Sequence, residues 1–334
     1  MERIILAHGG GGRLSGQIIS ELFLKYFDNP ILNALEDASL LNIEGKRLAF
    51  TTDSFVITPP FFPGGDIGKL AVCGTVNDLT MRGAKPLYLS AAFILEEGFP
   101  ISDLEKIVKS MAETCEMAGA KIVAGDTKVV GKGAVDGIFI NTTGIGIVDD
   151  HINISVKNAE VGDKIILTGT LGDHGIAILS IREGISFETE IKSDCSPLNL
   201  LFEGIFEKYG EYIHVMRDPT RGGLAAVLNE IASGSGKGIL IYENRIPYKE
   251  EVLNACYMLG LDPLHLANEG KAVMIVSQDK AEEILNRLKE HPLGRDASII
   301  GEVLDADKNV YLKTSIGTTR IVDVPAGELL PRIC

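Results

Sequence analysis

Apolar positions along the chain switch repeatedly between strand-like runs and helix-spaced segments. In the first half, strands are predicted over residues 3–7, 48–55, 87–95, 122–124 and 138–148, and helices over 15–27, 67–83 and 102–119. Gly83 and Pro86 stop the second of these helices. Ser102 and Glu105 have the spacing of a capping box that opens the third. After a polar break at Asp149-Asp150-His151 the pattern restarts. Strands are predicted over 164–167, 213–216, 238–242, 272–276, 298–303 and 310–313. Helices are predicted over 176–182, 197–209, 224–232 and 280–290. The alternation implies an α/β (mixed α+β) chain of two domains, residues 1–150 and 151–324. Residues 325–334 break the pattern with two prolines and a glycine, and read as an extended, flexible tail.

Composition narrows the function classes. The chain of 334 residues carries 46 acidic and 32 basic residues, a net charge of −14. Nucleic-acid binding is not expected, because it needs a basic surface to replace counterions. Phosphate ligands stay open, since carboxylates bind them through Mg²⁺. The first twelve residues lack the basic and apolar segments of a secretion signal. The most apolar run, 87–95, is too short to span a bilayer, so no membrane association is expected. Five cysteines without a CxxC spacing suggest neither a disulfide framework nor a zinc knuckle, and a reducing cytoplasm suits them.

Four features carry candidate chemistry. Gly9, Gly10, Gly11 and Gly12 follow a predicted strand and form either a flexible turn or a cradle of backbone N–H groups for phosphate. No Walker A sequence is present: Gly234-Ser235-Gly236-Lys237-Gly238 lacks its spacing, and Gly144 and Gly146 do not extend to a dinucleotide fingerprint. Asp37, Asp53, Asp78, Asp126 and Asp218 each stand at a turn or a polar break. Singly each reads as a cap or turn residue; as a set of oxygen donors they suit a metal bound together with phosphate. Arg217-Asp218-Pro219-Thr220-Arg221-Gly222-Gly223 joins a strand to a helix and offers that helix N-terminus to an anion. Cys334 ends a tail that can reach about 30 Å at about 3.3 Å per residue. Its terminal carboxylate opposes thiolate formation and Arg332 favours it.

Taken together, His8-Gly9-Gly10-Gly11-Gly12 at the start, Pro331-Arg332-Ile333-Cys334 at the end and the Asp218–Leu224 segment between them resemble the HypE family of hydrogenase maturation factors. That family lies in the superfamily of aminoimidazole ribonucleotide synthetase and selenophosphate synthetase, and the resemblance covers essentially the whole chain. It implies two domains of the aminoimidazole ribonucleotide synthetase type, the first pairing its sheet with a second copy in a homodimer, with ATP near the interface. The implied activity is ATP-dependent dehydration of an S-carbamoyl group on Cys334 to a thiocyanate, which supplies the cyanide ligand of a [NiFe]-hydrogenase iron. The implied partners are the carbamoyltransferase HypF, which loads Cys334, and the HypC–HypD iron scaffold. Lys128 and Glu269 are implied as an acid/base and positioning pair. ATP is expected at Gly9–Gly12, Asp53, Asp78, Asp126, Thr127, Arg221 and Gly222, with Mg²⁺ on the aspartates. A small-molecule kinase or synthetase of the same superfamily is the rival enzyme reading, and a docking scaffold is the rival outside catalysis. A selenophosphate synthetase would want a reactive cysteine near the glycine loop, and none is there.

Overall fold

The structure, a computed structural model, describes residues 13–27, 29–185, 191–324, 330 and 332–334. The predicted strand 3–7 and the Gly9–Gly12 loop lie outside them. The described chain opens with α1 (Arg13–Ile18) and α2 (Leu24–Phe27), joined by a π-helical turn over Ile19–Phe23.

The first sheet has the order β1-β2-β7-β5-β6. Its strands are β1 (Ser39–Ile43), β2 (Lys46–Phe55), β5 (Ala84–Glu96), β6 (Lys121–Val130) and β7 (Ile138–Val148), and a short ribbon of β3 (Phe61–Phe62) and β4 (Gly65–Asp66) precedes α3. Two helices, α3 (Ile67–Met81) and α4 (Ile101–Ala118), pack together on one face. Thirteen of the fifteen α3 residues are buried, so this helix is a core element with no polar face. Gly144 lets it lie directly on β7: a Cβ there would sit 2.6 Å from the Thr75 methyl and 2.9 Å from Leu79. Gly144 and Gly146 are therefore strand glycines, not part of a phosphate loop.

The second sheet has the order β14-β13-β10-β12-β8-β11-β9. It is built from β8 (Lys164–Leu167), β9 (Ile213–Arg217), β10 (Gly238–Tyr242), β11 (Val273–Val276), β12 (Ser298–Leu304), β13 (Val310–Lys313) and β14 (Thr319–Ile321). Its helices are α5 (Asp173–Arg182), α6 (Ile205–Tyr209), α7 (Gly223–Ser235), α8 (Glu250–Leu259) and α9 (Ala281–Lys289). One apolar cluster joins the halves, with Leu79 and Met81 of α3 against Phe202, Met216 and Met274. None of the helices among the described residues is long and apolar enough to cross a membrane, and all five cysteines are unpaired thiols.

Four local expectations change. Ser102 does not cap α4: the helix starts one residue earlier, its N-cap is Pro100, and no side chain bonds its first N–H groups. The predicted helix 197–209 shrinks to α6, because residues 199–204 form turns. The short strand 122–124 extends through Val130, so Gly125-Asp126-Thr127-Lys128 lies inside an edge strand. The segment 87–95 is buried on one face only, as the alternating burial along β5 shows. β1, β14 and α8 have no counterpart in the sequence expectations.

Candidate active site around the terminal cysteine

Strand alternation turns Thr51, Asp53 and Phe55 of β2 toward α3. Asp78 lies on α3, beside Asn77 and among apolar neighbours. The Thr51 hydroxyl donates to Asp78 Oδ2 at 2.7 Å, and Thr75 donates to Asp53 Oδ2 at 3.4 Å. The Asp53 and Asp78 carboxyls are close enough to influence each other's proton affinity. Asp218 comes in from the end of β9 and is almost fully buried. Burial raises the proton affinity of Asp53, Asp78 and Asp218, and mutual repulsion raises that of Asp78 and Asp218 further. Asp37 is tied to Arg217, which also bonds the Leu35 carbonyl at 2.9 Å. These four aspartates, with Glu269 and Cys334, face one cavity of about 1210 Å³.

The tail enters this cavity from the first sheet's side. Cys334 is 9 % exposed and Ile333 4 %. A terminal oxygen of Cys334 accepts the Val56 N–H at 3.1 Å, and Arg332 Nε donates back to the Val56 carbonyl at 2.8 Å. Arg332 also pairs with Asp136 at 2.7 Å and lies over the Phe139 ring. Thus the expectation that Arg332 favours the thiolate fails in space, because its charge is spent on Asp136. The cation at the sulfur is Arg221, whose Nε donates to Cys334 Sγ at 3.1 Å. Burial still dominates, and the thiol is pushed up to about 11 despite Arg221. The tail expected to be flexible is docked over its last three residues.

Glu269 stands on the turn between the 263–265 helical turn and β11, and the turn is gripped from several sides. Asp194 accepts the N–H groups of Glu269 and Gly270, each at 3.1 Å. Asn268 accepts the Gly172 N–H at 2.7 Å and donates to the carbonyls of Pro219 and Leu266. Gly270 has to be glycine, since a Cβ would fall 1.9 Å from the Asp194 carbonyl oxygen. Glu269 is 2 % exposed and its Oε1 has no partner among the described residues. Burial, then the neighbouring Cys195, Asp218 and Asp194, push its carboxyl well above the ordinary range. It is a neutral acid or a strong base, near Arg221 and Cys334.

The structure does not bring every expected residue here. Asp126 and Lys128 pair with each other at 3.1 Å on the edge strand β6, both well exposed. Register places Asp126 opposite Ala92, Ala92 opposite Asn141 and Asn141 opposite Ser54, whereas Asp53 lies opposite Thr142 on the α3 face. The sheet therefore separates Asp126 and Lys128 from the cavity within one chain, and Thr127 is exposed on the same strand. Gly222 caps α7 at φ +72, with Arg221 just before it. Among the described residues, no three His, Cys, Asp or Glu groups enclose an ion by themselves. Sequence reasoning missed His174, Arg182, Ser193 and Asp194. Nothing in the sequence pattern around them linked His174 to a tail 159 residues away.

Comparison with known proteins fits this arrangement. Residues 35–148 match the family model "AIR synthase related protein, N-terminal domain", and 160–313 match its C-terminal counterpart. The carbamoyl dehydratase HypE of Rhizobium leguminosarum bv. viciae is 51% identical over 99% of this chain and 95% of its own length. That of Escherichia coli K12 is 48% identical, with each chain fully covered. A crystal structure of a HypE–HypF complex superposes with a TM-score of 0.89 at 59% identity, covering 92% of this chain and 99% of that one. HypE solved in complex with ATP gives 0.84 at 48% identity, covering 99% and 100%. With both domains matched and half its residues shared along its whole length, the chain belongs to the HypE family of carbamoyl dehydratases.

Proposed function

We propose that Cys334 carries a carbamoyl group and that the chain, using ATP, dehydrates it to a thiocyanate during [NiFe]-hydrogenase maturation. The observation that carries this reading is the placement of Cys334 Sγ, bonded to Arg221 at the wall of a carboxylate-lined cavity with the unpartnered Glu269 beside it. The overall change converts S–C(=O)NH₂ and ATP into S–C≡N, ADP and phosphate. The carbamoyl oxygen leaves as part of the phosphate, and nitrogen gives up both protons. Glu269, as a carboxylate freed of its proton, accepts one from that nitrogen, and the departing phosphate takes the other. Arg221 holds the sulfur end of the group and offsets negative charge that develops beside it. Burial of Ile333 and Cys334 keeps water from the activated carbon.

Bound ATP supplies the phosphoryl group that turns a poor leaving oxygen into a good one. Mg²⁺ fits the hard oxygen donors Asp53, Asp78 and Asp218, completing its shell from phosphate and water, and it would neutralise phosphate charge. A reducing compartment, the cytoplasm, keeps the terminal thiol available. HypF, the partner in the solved relative's complex, is the proposed donor of the carbamoyl group, and a HypC–HypD scaffold the proposed acceptor of cyanide. Homodimerisation is supported by the open face of the first sheet, where Phe50, Tyr88, Ile94, Ile145 and Ile147 are exposed and the outer edge of β6 has no strand beside it among the described residues.

Intact mass spectrometry tests the reading. After incubation with the carbamoyltransferase, its carbamoyl donor and ATP-free buffer, the protein should gain one carbamoyl group. Adding Mg–ATP should then remove the mass of one water. Cys334→Ala should gain nothing; a carbamoyl group appearing on that variant would overturn the assignment.

A further inference from the structure

Besides the Arg332–Asp136 pair, four side chains, Arg332's own among them, and one backbone amide hold the last three residues. Arg182 donates to the Arg332 carbonyl and to the Thr58 carbonyl. Arg332 and the Val56 amide tie the tail to the end of β2. Arg221 meets the sulfur. The fifth contact is His174 Nε2, 2.8 Å from the Ile333 carbonyl oxygen. His174 lies in the first turn of α5 and has no exposed surface; Phe62 packs edge-on against it with ring centroids 5.6 Å apart.

The bonds fix its tautomer. A carbonyl can only accept, so Nε2 carries the proton. Burial lowers the ring's proton affinity and keeps it neutral. Nδ1 is then an acceptor, and the Ser193 hydroxyl, 2.8 Å away, must donate to it. Ser193 Oγ in turn accepts the Cys195 N–H at 3.1 Å. The result is a one-way relay from Cys195 N–H through Ser193 and His174 to the Ile333 carbonyl. A packing role alone does not account for this residue. Both ring nitrogens are bonded, and a leucine would fill the space without needing two polar partners.

The geometry points to His174 as a positioning residue for dehydration: in the Nε2–H form set by Ser193, it fixes the Ile333 carbonyl and so holds Cys334 beside Arg221 and Glu269. This rests on the dehydration reading. Carbamoyl loading by the partner and binding of ATP do not use the bond, so only the step at the docked tail depends on it.

The test uses the full-length protein loaded with carbamoyl groups and compares His174→Leu, His174→Gln, His174→Asn and wild type. Loading, Mg–ATP affinity, melting temperature and the single-turnover rate of water loss are measured. His174→Leu should load and bind Mg–ATP like wild type but dehydrate at least about tenfold more slowly, equivalent to ~1.4 kcal/mol. His174→Gln places an amide N–H near the position of Nε2 and should recover most of the rate. His174→Asn matches Nδ1 instead and should not. Nitrogen-15 NMR of wild type should show a neutral His174 ring protonated at Nε2. Dehydration by His174→Leu at the wild-type rate overturns the proposal. So does a glutamine variant no faster than the asparagine one, a comparison that stands even if the leucine variant fails to fold. An Nδ1–H or cationic ring at neutral pH overturns it too. Failure of the dehydration reading itself looks different, because loaded wild type would then keep its carbamoyl mass after Mg–ATP is added.

Discussion

Arg221 bonds the Cys334 sulfur and Glu269 lies near it, so the role proposed for each can be tested separately. Glu269→Gln keeps the volume and removes the proton acceptor. The variant should still be loaded by the carbamoyltransferase but accumulate the S-carbamoyl form when Mg–ATP is added, with dehydration down by about 10²-fold or more, the usual weight of a general base. Normal conversion would remove Glu269 from the chemistry. At this scale the sequence was legible in part. The terminal cysteine can be seen without a structure, whereas Glu269 was reached only through the family resemblance. Asp194, Ser193 and His174 were not visible, because their purpose is defined only by backbone groups of remote segments. The sequence neighbour Arg332 was legible but misleading, since its side chain turns to Asp136.

Secondary-structure elements supply the carboxylates, and those carboxylates strain the elements. Asp78 sits on a helix that is otherwise core, with Asp53 and Asp218 facing it. A carboxyl whose proton affinity is raised on folding stabilises the fold fully below its unfolded pKa and loses that contribution as pH rises through the folded value. Near neutral pH the cluster therefore opposes folding. Asp78→Asn should weaken Mg–ATP binding and yet raise the melting temperature of the free protein at pH 7.5, by about 1 kcal/mol or ~2 °C. The gain should vanish at pH 4. Calorimetry showing unchanged Mg–ATP affinity would take Asp78 out of the nucleotide site.

The joint between β9 and the loop before β8 behaves in a related way through a base. His214 Nδ1 lies 2.7 Å from Asp163 Oδ2, and that contact raises the imidazole pKa above 6.5. The pair's contribution is complete below about pH 6.5 and is lost as pH climbs through the folded value. His214→Gln should thus cost most at pH 6 and little at pH 8; a gap in melting temperature that is flat with pH would contradict this. Long strands and the buried helix α3 were read correctly from apolar spacing. β6 was cut short at Ala124, because Gly125-Asp126-Thr127-Lys128 is polar on a strand exposed along nearly its whole length. A strand exposed on both faces carries no inward periodicity to read.

For the molecule as a whole, that edge decides how Lys128 could act. Its own sheet separates it from the cavity, so any part in dehydration has to come from a second copy. Loaded Lys128→Ala should remain largely in the S-carbamoyl form. Mixing it, after exchange of subunits, with unloaded Cys334→Ala, which keeps Lys128, should restore water loss from the loaded chains. No recovery on mixing, with exchange verified, would rule out action across the dimer, and normal dehydration by Lys128→Ala alone would remove it from the mechanism. Sedimentation should show a dimer, and a charged residue at Ile145 should weaken it. The two-sheet architecture was readable from the restart of the pattern after Asp150. The docking of the tail was not, since nothing in a proline-broken segment specifies which surface will receive it.

Asn77 has a further consequence. From α3 it donates to the carbonyls of Ser196 at 3.1 Å and Glu269 at 3.2 Å, and it accepts the Leu198 N–H at 2.8 Å. One side chain of the first half thus plugs a socket made entirely of backbone from the second. Such a socket cannot be filled by trading parts. If another C-terminal half replaced this one, the Asn77 amide would be satisfied only where that half presented two carbonyls and an N–H in the same places. The halves look like exchangeable modules in their outlines, but inheritance has to pass them on as a matched set.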